Sequence, residues 1–323
     1  MIVAASIKKV LPDCNQFKVM PLFQKQKSSL IKIKEQKIPT ERELQNLTEE
    51  NLDLIFDLEF VSSEFPINGL RIDTLAFNLE TNSFAIIEYK KVKKFSVIDQ
   101  GYAYLSQLVN NKADFILEYY EKLNKNLKRD QVSWEQSRVI FIAPKFTKYQ
   151  KTAITLRDLP FELWEVKFYD NNSVLYNRLE TPETAESFKQ IAPKGSKVEK
   201  VTNEIKSYSE QGHVDYLPIS LQEKYDELKE EIQNSFSNVE IKPLKRYIAF
   251  KSENNFISTV FRKNAIKVFI NVPKGQLRDP QSLARDVSSI GHWGTGDYEI
   301  TIDEKTKISR IWDLIEQAYN LNS

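Results

Sequence analysis

The chain has 323 residues, 41% hydrophobic and 28% charged, with 46 basic and 45 acidic side chains and a formal net charge of +1. That length admits two domains of ordinary size, each with its own core, and the composition is typical of soluble globular proteins. The balanced charge gives no global attraction to nucleic acid, so any basic surface must be local, and no apolar run approaches the roughly 18 residues of a membrane span.

Residues 1–39 read as a basic N-terminal arm, with eight lysines against Asp13 and Glu35 over residues 1–38. It is either a solvated, partly ordered segment or a phosphate-contacting one. Thr40 is placed as an N-cap with Glu43 completing a capping box. Leu44, Leu47, Leu52, Ile55 and Phe56 then predict an amphipathic helix over 41–57. Strands are predicted at 60–67, 70–77 and 83–92, with turns at Asn68-Gly69 and Glu80-Thr81-Asn82. Helices at 96–108 and 112–123, a strand at 138–143, a helix at 149–158 and a strand at 161–169 follow. This order predicts an α/β domain over 40–180, a mixed sheet with helices on its faces. Residues 181–216 lose periodicity and gather Pro182, Pro193, Gly195 and Gly212, which places a linker there. A charged helix at 220–236, strands at 246–252, 256–262 and 265–271, a short helix at 282–289, a strand at 297–302 and a helix at 308–319 predict a small α+β domain over 217–323.

The chemistry concentrates in Arg71-Ile72-Asp73 and Glu88-Tyr89-Lys90. Side chains two apart in a strand share a face, so Glu88 and Lys90 point one way and Ile87 and Tyr89 the other. A turn centred between residues 80 and 81 sets Asp73 opposite Glu88. Two carboxylates that close repel unless protonated or bridged by a cation. A hard divalent ion suits them: Mg²⁺ or Mn²⁺ held by Asp73, Glu88 and the Tyr89 carbonyl, with Lys90 steadying a nearby water or developing charge. The competing reading is a cross-strand ion pair among ordinary rim charges. The single cysteine, Cys14, excludes a disulfide framework and a multi-cysteine zinc site. With only His213 and His292 present, histidine-based nuclease and zinc chemistry is disfavoured.

Three segments together, Arg71–Ala76, Ile86–Lys91 and Gln100–Leu105, resemble the PD-(D/E)xK nuclease superfamily, in particular bacterial endonucleases of that kind. The resemblance extends through Lys112–Tyr119 and Arg138–Ala143, covering most of residues 40–170. It implies a restriction-endonuclease-like fold, metal ligation by Asp73 and Glu88, and Lys90 as the catalytic lysine. The superfamily's proline is replaced here by Ile72. Gln100 and Tyr104, four apart on a predicted helix and so on one face, match a Gln-x-x-x-Tyr element that contacts substrate in such nucleases. An additional acid is expected from Glu49, with Glu50 and Glu43 behind it, or from Glu64 on the preceding strand. Lys91, Lys93 and Lys94 extend positive charge past the site; Lys122, Lys125, Lys128 and Arg129 read as a solvated basic face.

Three of the eight glycines fall in Gly291–Gly296. This segment reads as a tight turn with a packed Trp293, the alternative being that His292 and Trp293 stack on a base. Residues 216–320 resemble the domain of unknown function 5655, which supplies no established chemistry. The resulting expectation is a Mg²⁺-dependent, cytoplasmic endodeoxyribonuclease serving restriction, repair or phage defence. Its expected partner is nucleic acid, chiefly DNA, with no membrane; a homodimer and a protein partner for the C-terminal domain stay open. The alternatives are a nucleic-acid-binding or interaction protein that keeps the nuclease fold without catalysis, and a scaffold.

Overall fold

The computed structural model describes residues 21–37, 40–90, 96–153, 160–179, 201 and 204–323. Much of the basic arm, Lys91, Lys93, Lys94 and much of the 181–216 segment therefore lie outside the described residues. So does the second half of the helix expected at 149–158.

Within the arm, β1 (Leu22–Gln26) and β2 (Ser29–Ile33) form an antiparallel hairpin. The two-residue β3 (Glu35–Gln36) joins the edge of the main sheet. Helix α1 (Glu41–Glu49) starts at the expected capping box: Thr40 Oγ1 accepts from Glu43 N at 3.2 Å, and Glu43 Oε2 accepts from Thr40 N at 2.7 Å. The single helix expected over 41–57 is divided. After α1 the Asn51 amide donates to Leu47 O at 2.8 Å, and a separate α2 (Leu52–Phe56) ends at Asp57, whose φ is +55°.

The strands β4 (Glu59–Ile67), β5 (Leu70–Asn78) and β6 (Ser83–Tyr89) form a meander. Next come α3 (Val97–Asn110), α4 (Lys112–Leu123), β7 (Arg138–Ala143), α5 (Lys148–Ala153), β8 (Phe161–Tyr169) and β9 (Val174–Arg178). The sheet order is β3-β8-β7-β6-β5-β4, with β9 also on β8; β6-β7 and β7-β8 are parallel and the other pairs antiparallel. Parallel strands need helices on both faces, which explains why every residue of β6 is buried. One face packs Phe84, Ile86 and Phe141 against Leu105, Leu108 and Phe115 of α3 and α4. The other packs Ala85, Ile87 and Tyr89 against Leu44, Leu52 and Phe56 of α1 and α2. The N-terminal part is thus a mixed α/β fold with a helix-flanked mixed sheet.

The C-terminal part holds short α6 (Glu210–Val214), α7 (Ile219–Ser235), β10 (Glu240–Pro243), β11 (Ile248–Lys251), β12 (Asn255–Arg262), β13 (Ala265–Ile270), β14 (Arg285–Asp286), β15 (Tyr298–Ile302) and α8 (Ile308–Asn322). Its antiparallel sheet, β10-β11-β12-β13-β15-β14, is covered on one face by α7 and α8 around Phe250, Val268, Ile300 and Ile315. The short helix expected at 282–289 is absent. Ser282 has φ +51°, Ala284 N donates to Asp279 Oδ2, and Arg285 and Asp286 pair with Glu299 and Tyr298, so the backbone is held extended.

Candidate active site

Asp73 sits where the β4–β5–β6 meander loosens. Opposite it on β4, Glu64 adopts φ +58°, a left-handed conformation costly for a side chain with a Cβ. The Asp73 carbonyl accepts from the Gln45 side chain, Nε2 lying 2.9 Å away. One step on from the Thr74–Ile87 pair, Asp73 lies level with Glu88, as the hairpin arithmetic requires. Its carboxylate turns to the backbone of β6, where Oδ2 accepts from Tyr89 N at 3.0 Å.

Glu88 is 2% exposed at the end of a strand buried throughout. Its Oε1 accepts from Gln100 Nε2 at 2.7 Å and pairs with the Lys90 ammonium. Its Oε2 accepts from Tyr104 Oη at 2.8 Å. Tyr104 Oη also lies 3.1 Å from the Arg71 carbonyl and 3.2 Å from Gln100 Nε2. Helix α3 delivers this pair because Gln100 and Tyr104 are one turn apart on the face packed against β6. The close approach of the helix depends on Gly101: a Cβ there would lie 2.6 Å from the Phe161 ring of β8.

Burial, and next the Glu88 carboxylate, push the Asp73 carboxyl up to about 7. The Tyr89 N–H and Lys90 pull in the opposite direction without cancelling that rise. Burial, reinforced by Glu88, likewise raises Tyr104, so its hydroxyl stays a hydrogen-bond donor at neutral pH.

The structure therefore brings Asp73, Glu88, Lys90, Gln100 and Tyr104 to one point. It does not gather a third acid with them: among the described residues no three His, Cys, Asp or Glu side chains are grouped to hold a metal ion. Glu64 is held by Arg71 at 2.6 Å and Arg42 at 3.2 Å. Glu49 accepts from Thr74 Oγ1 at 2.5 Å and from Gln45 Nε2 at 2.9 Å, on the Tyr89 face of the sheet. Glu43 serves the α1 cap, and Glu50 is the exposed residue that ends α1. Lys125 of the second basic cluster pairs with Glu59.

Gln45 escaped the sequence reading. It is 4% exposed and ties α1 to β5 through Glu49 and the Asp73 carbonyl. Its signal was its position beside Leu44 and one turn before Glu49, on the inner side of an amphipathic helix.

Residues 211–322 match the family model described as "Domain of unknown function (DUF5655)". Among solved structures, a repair endonuclease from Pyrococcus abyssi aligns at 21% identity and a TM-score of 0.23, covering 41% of this chain and 50% of that one. An EndoMS-dsDNA2 complex aligns at 19% identity and a TM-score of 0.24, covering 40% and 47%. The chain thus spans about half the length of either structure, and likeness at that level says nothing of its chemistry. A Haemophilus influenzae protein described as "Uncharacterized protein" is 42% identical over 299 residues, which are 93% of this chain and 99% of the relative. Identity of that extent, end to end, shows that the chain belongs to one family with the Haemophilus influenzae protein, and its residues 211–322 form a DUF5655 domain.

Proposed function

We propose that the chain is a divalent-metal-dependent nuclease that hydrolyses phosphodiester bonds in DNA, with Asp73, Glu88 and Lys90 as its centre. The observation that carries this reading is the convergence of two carboxylates and an ammonium at the ends of β5 and β6, with Gln100 and Tyr104 closing on Glu88. The donor set fits Mg²⁺ or Mn²⁺. It offers hard oxygens from two carboxylates, matching ions that keep several waters and bind substrate phosphate, and it lacks the nitrogen or sulfur ligands zinc prefers. The raised Asp73 carboxyl supports the same conclusion, since a cation is what allows both acids to ionise together. Such an ion supplies phosphate polarisation and a more acidic water when bound. Gln100 and Tyr104 fix the Glu88 carboxylate, outer partners of the kind that orient metal ligands. Lys90, part-exposed beside Glu88, is placed to stabilise negative charge developing on phosphate.

The test is a panel of single- and double-stranded DNA and RNA, incubated with EDTA, Mg²⁺ or Mn²⁺. Cleavage of DNA by the wild type should need metal, and Asp73→Ala and Lys90→Ala should each lose about 100-fold or more, in line with removal of a group that stabilises transition-state charge. Cleavage by both variants at the wild-type rate would defeat the assignment.

A second reading has its own observation. Both Glu88 oxygens already accept from protein groups, Lys90 and Gln100 on one and Tyr104 on the other, as in a self-contained polar network. On that reading the domain retains the nuclease fold and binds nucleic acid without cutting it. Binding without cleavage under every metal condition would favour it.

A further inference from the structure

Among the described residues, helices cover one face of the C-terminal sheet. Its other face carries Val260 and Arg262 of β12, Lys267 and Phe269 of β13 and Glu299 of β15, with Arg285 of β14 at the edge. The cross-strand pairs Val260–Lys267 and Phe269–Glu299 set these side chains side by side. Residues 287–297 fold back over this face and are pinned by two glycines. A Cβ on Gly296 (φ +104°) would lie 2.0 Å from Ile270 O, and one on Gly294 (φ +96°) 2.7 Å from Ser258 Cβ. The tight turn read from the sequence is therefore real, but Trp293 is not packed away. The loop stacks His292 on Phe269, ring centroids 4.5 Å apart, and leaves Trp293 40% exposed.

Two guanidinium groups sit on that indole: Arg246 at 4.2 Å and Arg262 at 5.0 Å from the ring centroid. Among the described residues neither makes an ion pair with a carboxylate; the face of the neutral indole attracts them through its quadrupole and leaves their charge uncompensated. Two hollows adjoin at this point, about 550 Å³ and 670 Å³, and share Val260, Arg262 and Trp293. The first is lined by Arg262, Lys267 and Arg285 against Glu299 alone; the second by Lys245, Arg246 and Arg262 with no carboxylate. Lys245 is already paired with Glu135, and Lys267 and Arg285 share Glu299, the latter at 4.0 Å, which leaves Arg246 and Arg262 as the available cations. Tyr216, 59% exposed, and Tyr208 border the second hollow.

We propose that this surface, the open sheet face together with the adjoining rim beside α6, binds single-stranded nucleic acid, with Arg246 and Arg262 on phosphates and Trp293 and Tyr216 against unstacked bases. Guanidinium groups interleaved with exposed rings suit a strand whose phosphates need cations and whose bases need π-surfaces. A duplex keeps its bases stacked on each other and would leave the rings unused. An acidic peptide would engage the arginines only. A mononucleotide would fill one hollow, whereas the pair joined at Trp293 accommodates a strand. The inference goes beyond the nuclease reading and does not depend on whether Asp73 and Glu88 support cleavage.

The full chain is titrated in EDTA against a fluorescein-labelled twelve-residue oligothymidylate, read by anisotropy at several salt concentrations. Wild type is expected to bind, and the double variant Arg246→Gln/Arg262→Gln to bind at least about tenfold more weakly. Its slope of log K against log salt should fall by about 1.4, since each single-strand phosphate contact contributes roughly 0.7. Trp293→Ala should weaken binding about tenfold and Trp293→Phe, which keeps a ring, should stay within about threefold of wild type. Photocrosslinking with bromodeoxyuridine in the strand should mark peptides containing Trp293 or Tyr216. Near-UV circular dichroism checks that each variant is folded. The proposal is overturned if wild type does not bind, or if the arginine variant keeps wild-type affinity and slope. It also fails if cross-links are confined to residues 40–180, or if duplex or a polyglutamate peptide displaces the probe as well as unlabelled strand does.

Discussion

Within β5, Asp73 turns its side chain to the backbone of β6, and Gln45 buttresses its carbonyl. The Gln45 amide donates to the Asp73 carbonyl at 2.9 Å. Gln45→Ala should therefore destabilise the protein by about 1–3 kcal/mol, the usual cost of stranding a buried polar group, and lower any cleavage through a displaced Asp73. Urea unfolding and the DNA panel measure the two effects; an unchanged midpoint would remove Gln45 from its supporting role. Tyr104→Phe probes the other carboxylate. It deletes the donor 2.8 Å from Glu88 Oε2 while keeping the ring in the core. A loss of about 1–3 kcal/mol is expected from the unsatisfied carboxylate oxygen, again read by urea unfolding. The Asp73–Glu88–Lys90 geometry was legible in the sequence because strand phase and a short turn fix it locally. Gln45 was not, since its value depends on α1 lying across β5.

Helix α3 carries Gln100 and Tyr104, and its height above the sheet is set at Gly101. Gly101→Ala forces a Cβ into the Phe161 ring, an overpacking that typically costs about 1–3 kcal/mol, and lifts Gln100 and Tyr104 from Glu88. Thermal unfolding should fall, and any DNA cleavage with it. Strand β8 contributes a pH-dependent element through Glu162. Burial pushes its carboxyl up, yet Arg178 and Arg138 outweigh this and hold it down at about 2, against the usual 4.5. Arg138 Nε lies 2.9 Å and Arg178 Nη2 3.9 Å from its Oε1. A carboxyl depressed on folding stabilises the native state above its unfolded value, and that stability drains away as pH falls from about 4.5 toward about 2. The amount is about 3 kcal/mol, at roughly 1.4 kcal/mol per unit. Acid unfolding of Glu162→Gln should be flatter across that window, with lower stability at pH 7; equal slopes in the two proteins would contradict this account. At this scale the sequence located most strands and helices to within a few residues, because periodicity and capping are local. It missed β1, β2, β3, β9 and β10, and it placed a helix where β14 forms, a strand that exists because Arg285 and Asp286 meet β15.

Across the whole molecule, the two sheets meet through polar contacts. Glu80 in the β5–β6 turn accepts from Tyr247 Oη at 2.8 Å and from Asn255 Nδ2 at 3.3 Å. Gln136 Oε1 accepts from Lys245 N at 3.0 Å, Arg178 lies 3.4 Å from Glu240, and Lys251 pairs with Asp57. Glu80→Ala should loosen this junction, since polar interdomain contacts leave relative motion easy. Calorimetry is expected to show the two halves melting further apart in the variant than in the wild type; superimposable scans would mean that Glu80 does not couple them. What the sequence by itself determined is the local chemistry: the α1 cap, the alternation that pairs Glu88 with Lys90, the one-turn spacing of Gln100 and Tyr104, and a hairpin centre that sets Asp73 opposite Glu88. Each lies within a window of a few residues, where backbone period and turn length decide the outcome. Only the tertiary structure decided that Glu64 is neutralised by Arg42 and Arg71, that Glu49 turns to the Tyr89 face, and that Arg246, Arg262 and Trp293 converge. Those meetings join residues far apart in the chain. Their loop-closure cost is offset by burying whole faces of the sheets, a gain that no single window of sequence displays.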